Sequence, residues 1–129
     1  MNNYQKGRNF ELKAKAYFEN LYGVEFKSGK ILTGLNGGKL RQFDLINEEN
    51  KILIECKNFT FTKTGNLPSA KISEFLKEIY KLHLAPNNYK KIMCIAYAYS
   101  DTKKITLKEY IVNQYFDFIP DTIEIVELK

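Results

Sequence analysis

Apolar positions near the start of the chain recur at helical spacing. Phe10, Ala14, Tyr17, Phe18 and Leu21 predict an amphipathic helix ending before Gly23. The period then changes to two. Val24 to Leu32 reads as a first strand broken at Ser28-Gly29, Arg41 to Ile46 as a second, and Lys51 to Lys57 as a third. Between the last two lies Asn47-Glu48-Glu49-Asn50, which has no apolar residue and predicts an antiparallel hairpin. Alternation in the third strand puts Leu53, Glu55 and Lys57 on one face and Ile52, Ile54 and Cys56 on the other.

The segment from Phe59 to Leu67 shows no clear period. Pro68-Ser69 then opens a second helix, with Ser69 as N-cap and Ile72, Phe75, Leu76, Ile79 and Leu82 as its buried stripe. Ala85-Pro86-Asn87-Asn88 stops it. The nearly unbroken apolar run from Lys91 to Tyr99 predicts a central strand covered on both faces and parallel to a neighbour. Thr106-Leu107-Lys108-Glu109 has the spacing of a capping box, flanked by Ile105 and Tyr110 as a hydrophobic staple, so a helix should run to about Tyr115. Thr122 to Leu128 alternates as a last, peripheral strand. The order helix, three strands, helix, strand, helix, strand predicts an α/β sandwich around a small mixed sheet, spanning residues 1 to 129 as a single domain.

Composition narrows the function classes. The 20 Lys and Arg against 15 Asp and Glu give a net charge of +5, which favours an anionic partner without demanding one. No stretch has the length of a membrane span and the N-terminus is polar, so no membrane association or signal peptide is expected and the cytoplasm is the expected place. Cys56 and Cys94 fall inside strands without metal-ligand spacing and read as reduced core thiols. His83, the single histidine, sits at a helix end, where it reads as a structural residue.

The chemistry concentrates on the hairpin. Asp44 should lie near Glu55 across its two strands, with Lys57 two positions further on. Two carboxylates held that close repel, so one must take a proton or both must share a cation. Mg²⁺ accepts one or two carboxylates together with waters and phosphate oxygens, and a neighbouring ammonium can hold the attacking water. These are the requirements of phosphodiester hydrolysis. Glu11 borders the apolar stripe of the first helix; it either pairs with Lys15 or faces this site. The loop Thr33 to Gly38, with three glycines, is flanked by Lys27, Ser28, Lys30, Lys39 and Arg41, which either follow a phosphate backbone or are solvated; Lys71, Lys77 and Lys81 on the second helix carry the same two readings.

From Gly7 to Tyr99 the chain resembles the PD-(D/E)xK nuclease superfamily, the restriction-endonuclease-like fold. That family has an αβββαβ core and carries its acids on the second and third strands, and here a C-terminal helix and strand would be added. Asp44 matches its first acidic position, Glu55 the second and Lys57 the lysine of E-x-K. Glu11, within Gly7-Arg8-Asn9-Phe10-Glu11, matches the glutamate of the first helix, as in archaeal Holliday junction resolvases and Mrr-type enzymes. Phe43 stands where the namesake proline would be.

The resemblance implies a Mg²⁺-dependent endonuclease acting on DNA, with Mn²⁺ able to substitute and no small-molecule cofactor. Asp44 and Glu55 would ligate the metal, joined by the main-chain carbonyl of Cys56; Glu11 would bind or orient a metal-bound water, and Lys57 would assist the nucleophile. Cutting both strands favours a homodimer. The same fold also serves as the nuclease domain of bacterial toxins, against DNA or RNA, and a non-catalytic nucleic-acid-binding module is the third reading.

Overall fold

The two periodicities of the sequence become two kinds of layer. The computed structural model describes residues 2–34 and 36–129; Met1 and Leu35, the latter in the glycine-rich loop, lie outside the described residues. Helix α1 (Asn3–Tyr22) is opened by a capping box in which Asn2 and Gln5 satisfy each other's backbone N–H groups, and it ends on Gly23 at φ 67°, a left-handed position that glycine adopts without strain. Strands β1 (Lys27–Thr33), β2 (Lys39–Asn47) and β3 (Ile52–Lys57) form an antiparallel meander. Helix α2 (Ser69–Leu84) crosses over to β4 (Lys90–Ala96), which lies parallel to β3. Short strands β5 (Tyr99–Ser100) and β6 (Ile105–Thr106) pair as a separate two-stranded sheet before α3 (Leu107–Tyr115) and β7 (Ile123–Leu128). The five-stranded sheet runs β1-β2-β3-β4-β7, with β7 parallel to β4 at the edge. The expected α/β class and element order are present, and β5–β6 is an addition.

Each face of the sheet builds its own core. On one side Leu53, Met93, Ile95, Ile123 and Ile125 meet Ile72, Phe75, Ile79 and Leu82 of α2 and Leu107 and Ile111 of α3. On the other, Ile52, Ile54, Cys56, Ile92 and Cys94 meet Phe10, Ala14 and Phe18 of α1. β3 and β4 are therefore covered twice, which explains their continuous hydrophobicity. Cys56 and Cys94 are buried, unbridged register partners. Among the described residues, no helix is long and apolar enough to cross a membrane.

Several boundaries differ from expectation for local reasons. Tyr17 and Leu21 are exposed, because α1 packs along the straight stripe of Phe10, Ala14 and Phe18, continued by the partly buried Tyr22. Ser69 is the first helical residue and Pro68 occupies the cap position without a side-chain bond. The apolar run expected to be one strand to Tyr99 stops at Ala96, and Tyr97 N–H turns to the carbonyl of Leu128. Lys91 is buried, and its ammonium donates to the carbonyls of His83 (3.2 Å) and Ala85 (2.8 Å), satisfying acceptors that the end of α2 leaves open. The capping box at Thr106 and Glu109 forms as expected.

Truncating a ring sealed between α2 and the sheet should cost far more than removing a solvent-side cap. Phe75→Ala is expected to lower the unfolding free energy by roughly 3–5 kcal/mol and Thr106→Ala by about 1 kcal/mol. Denaturant titration of both variants checks the order, and equal losses would contradict this account of the core.

Candidate active site

The site begins with an irregularity in β2. Lys27 pairs with Ile46 and Gly29 with Phe43, so β1 advances two residues while β2 advances three. The extra residue lies at Asp44-Leu45, opposite Ser28, as in a β-bulge. Its effect is visible in the cores. Ile46 and Phe43, three residues apart, both pack on the α2 side, whereas Leu45 packs on the α1 side. Regular pairing of β2 with β3 runs from Asn47 with Ile52 to Leu45 with Ile54 and stops there.

Beyond that point two side chains replace the ladder. Asp44 N–H donates to Glu55 Oε1 at 2.8 Å, and Cys56 N–H donates to Asp44 Oδ2 at 2.8 Å. Each acid holds the backbone of the other's strand. The expected proximity of Asp44 and Glu55 is met, through main-chain donors to both carboxyl groups, Asp44 half-buried and Glu55 buried.

Glu55 and Lys57 face α2. Two strand residues rise about 6.6 Å and four helical residues about 6 Å, so alternate positions of β3 can match successive turns of the helix. Lys81 Nζ lies 3.2 Å from Glu55 Oε2 and 2.7 Å from Glu78 Oε2, and donates to the Gln42 carbonyl at 2.6 Å. The same ammonium sits 4.8 Å over the Phe43 ring. One turn towards the helix start, Glu74 takes Lys57 at 3.9 Å and Lys71 at 3.7 Å. Lys81 is therefore not on a solvated face.

Electrostatics follow from this enclosure. Burial, reinforced by the hydrogen bond with Glu78 and by Asp44, pushes Glu55 up to about 9. Burial alone would raise Glu78 as well, but hydrogen bonds from Glu55 and Lys81 bring it below its ordinary value. The two neighbouring carboxyl groups are thus shifted in opposite directions. Asp44 is raised by burial, against the Cys56 N–H and Lys81. Glu11 is raised by burial and by Asp44, which is within its hydrogen-bonding reach. Its ion pair is with Arg8 at 3.5 Å, not with Lys15.

The structure brings Glu11, Asp44, Glu55 and Lys57 to one place and adds three residues that sequence reasoning passed over: Glu74, Glu78 and, in its interior role, Lys81. Their spacing of i, i+4 and i+7 beside the apolar stripe of α2 is the signal that could have found them. A cleft of about 200 Å³ lined by Glu11, Lys57, Lys71 and Glu74 opens on one side of the acids. Another of about 380 Å³, lined by Arg41, Lys77 and Lys81, opens between β2 and α2.

The remaining basic candidates are dispersed. Lys39 pairs with Thr33 and shares the face of Arg41, whereas Lys30 pairs with Gln42 and lies on the opposite face with its neighbour in period, Ser28. Lys27 lines a separate cleft with Glu25, Glu48 and Glu49, an acidic setting ill-suited to phosphate. The glycine-rich loop and its flanks are not one basic surface.

Among the described residues, no group of three or more His, Cys, Asp or Glu side chains is arranged to hold a metal ion. The donor chemistry nonetheless fits Mg²⁺, which needs only one or two carboxylates. Asp44 and Glu11 are adjacent, partly buried and both raised, despite Arg8 beside Glu11 and Lys81 and Lys57 near Asp44. Glu55, in contrast, has one oxygen on Asp44 N–H and the other on Lys81. The Cys56 thiol packs in the α1-side core and is pushed up by Cys94 and burial, so only its main chain adjoins the site. No family model, curated protein or solved structure matches the chain.

The raised Glu55 has a definite consequence for stability. Its pKa is higher in the folded chain than the ordinary 4.5, so the native state holds this proton more tightly; that contribution is complete below about 4.5 and is lost as pH rises towards 9. Glu55→Gln keeps the acceptor for Asp44 N–H and a donor for Glu78. Melting curves in EDTA should show the variant more stable than the parent, by a margin that widens between pH 5 and about pH 9. A margin independent of pH would show that Glu55 is an ordinary ionised carboxylate.

Proposed function

We propose that the chain is a divalent-metal-dependent nuclease of the PD-(D/E)xK type, with the restriction-endonuclease-like sandwich, hydrolysing phosphodiester bonds in DNA. The observation that carries the reading is the convergence of Glu11, Asp44, Glu55 and Lys57 from three elements onto a bulged hairpin, where burial raises all three acids. A purely structural ion-pair cluster would be expected to lower its carboxylates, not raise them. The element order and the acids on the second and third strands support the fold assignment.

In this reading Asp44 and Glu11 hold the ion, and Glu55 completes the acidic set once freed from Lys81. Mg²⁺, when bound, supplies Lewis-acid polarisation of the scissile phosphate. Lys57 is half-buried and its contact with Glu74, at 3.9 Å, is loose. Its ammonium can therefore turn to hold the attacking water and offset charge growing on the phosphate. Arg41 and Lys71 border the clefts on either side of the acids and bind the neighbouring phosphates of the strand. Cleavage of both strands of a duplex calls for a second copy of the chain.

Lys57→Ala and Glu55→Ala are each expected to abolish Mg²⁺-dependent cleavage of a DNA panel while leaving DNA binding nearly unchanged, since neither side chain supplies most of the phosphate contacts. Binding lost in step with cleavage would instead mark a module that only binds.

The dispersal of the basic residues gives a second outcome. Reversing Arg41 or Lys71 should each flatten the dependence of log affinity on log salt by about one unit, whereas reversing Lys27 or Lys30 should leave the slope alone. Titrations at several salt concentrations check this, and a slope sensitive to Lys30 would move the interface to the other face of the sheet.

A further inference from the structure

Lys81 is the most completely engaged cation among the described residues at this site. Its ammonium reaches Gln42 O at 2.6 Å, Glu78 Oε2 at 2.7 Å and Glu55 Oε2 at 3.2 Å, with the Phe43 ring beneath it at 4.8 Å. The Gln42 contact is a hydrogen bond, and the two carboxylate oxygens are close ion-pair partners on the same ammonium. A further side is closed by a π face, which attracts a cation. Its side chain is only 18% exposed, and Glu55's 4%. A contact so desolvated is held by geometry that an exposed ion pair lacks.

The consequence concerns Glu55. One of its oxygens is fixed on Asp44 N–H and the other on Lys81, so neither is directed with Asp44 and Glu11 at a common point. This accounts for the absence, among the described residues, of a three-carboxylate cluster able to hold a metal ion in a site whose sequence supplies the acids. Glu78 keeps the lysine in place from the helix side: it lies three residues before Lys81 on α2 and shares the same ammonium.

We propose that Lys81 is a positioning residue that occupies Glu55 in the metal-free protein and is the competitor a divalent ion must displace to recruit that carboxylate. The inference rests on the metal reading given above. It makes recruitment of the Glu55 carboxyl group a competition between the metal ion and Lys81. Substrate phosphate arriving beside Lys81, in the cleft shared with Arg41 and Lys77, gives the ammonium another anion and releases Glu55. Metal and nucleic acid would then bind cooperatively.

The test measures Mn²⁺ binding to the free protein, by the electron spin resonance signal of unbound Mn²⁺, without nucleic acid and without reference to cleavage. Lys81→Met and Lys81→Gln should each tighten Mn²⁺ binding by about tenfold or more. Lys81→Gln retains a donor for the Gln42 carbonyl and decides the matter if the methionine variant fails to fold. Lys77→Met removes the same charge from an exposed neighbour on α2 and should leave affinity within about twofold, which separates positioning from general electrostatics. In a Glu55→Gln background the gain from Lys81→Gln should vanish, as a double-mutant cycle requires if the lysine acts through that carboxylate. Equal gains from Lys77→Met and Lys81→Gln, or a gain that survives Glu55→Gln, would overturn the proposal. So would wild-type binding that Lys81→Gln leaves unchanged, with the metal site itself intact. Absence of Mn²⁺ binding in every variant would instead remove the metal reading on which it stands.

Discussion

The reciprocal clasp between β2 and β3 is the contact on which the rest of the site depends. Asp44 and Glu55 would repel if they merely faced each other, but each accepts a backbone N–H from the other strand at 2.8 Å. Those bonds continue the hairpin where its regular ladder ends. The bulge makes them possible by taking the Asp44 main chain out of register, and the same irregularity turns Phe43 into the α2-side core. A bend in one strand thus exposes two carboxylates to each other and lays an aromatic floor beneath the lysine that serves them.

Helix α2 supplies the counter-charges because its pitch suits the spacing of alternate strand residues. Glu74 meets Lys57, and Glu78 with Lys81 meets Glu55, while Phe75 and Ile79 between them seal the core. Burial by this wall raises the acids, and Lys81 keeps the arrangement neutral enough to persist. In such surroundings an unpartnered carboxylate is far costlier than one paired and hydrogen-bonded. The chemistry proposed for the site therefore draws on the same packing of α2 that pairs these charges.

Much of the fold was legible in the chain because it rests on local periodicity. The helical spacing of apolar positions in α1 and α2, the alternation of β3, the unbroken apolar run of β4 and the capping box at Thr106 and Glu109 each follow from how side chains project from one element. The same alternation put Glu55 and Lys57 on one face before any tertiary contact was known. The hairpin spacing brought Asp44 near them.

What the tertiary structure decided is where elements meet. The bulge at Asp44 cannot be read from period-two patterning, because it depends on β1 pairing across a step of two residues against three. The burial of Lys81 and Lys91 reverses what their charge suggests: Lys81 finds acceptors on β2 and β3, far away in the chain, and Lys91 finds the open carbonyls at the end of α2. The separation of Lys30 from Arg41 onto opposite faces, and of Lys27 into an acidic cleft, likewise depends on strand register. Sequence by itself determined which groups were available and on which side of each element they stood. Only the packing of α1 and α2 against the sheet decided which charges were desolvated, which were paired, and hence which carboxyl groups are raised and which lowered, because those depend on distances between residues far apart in the chain.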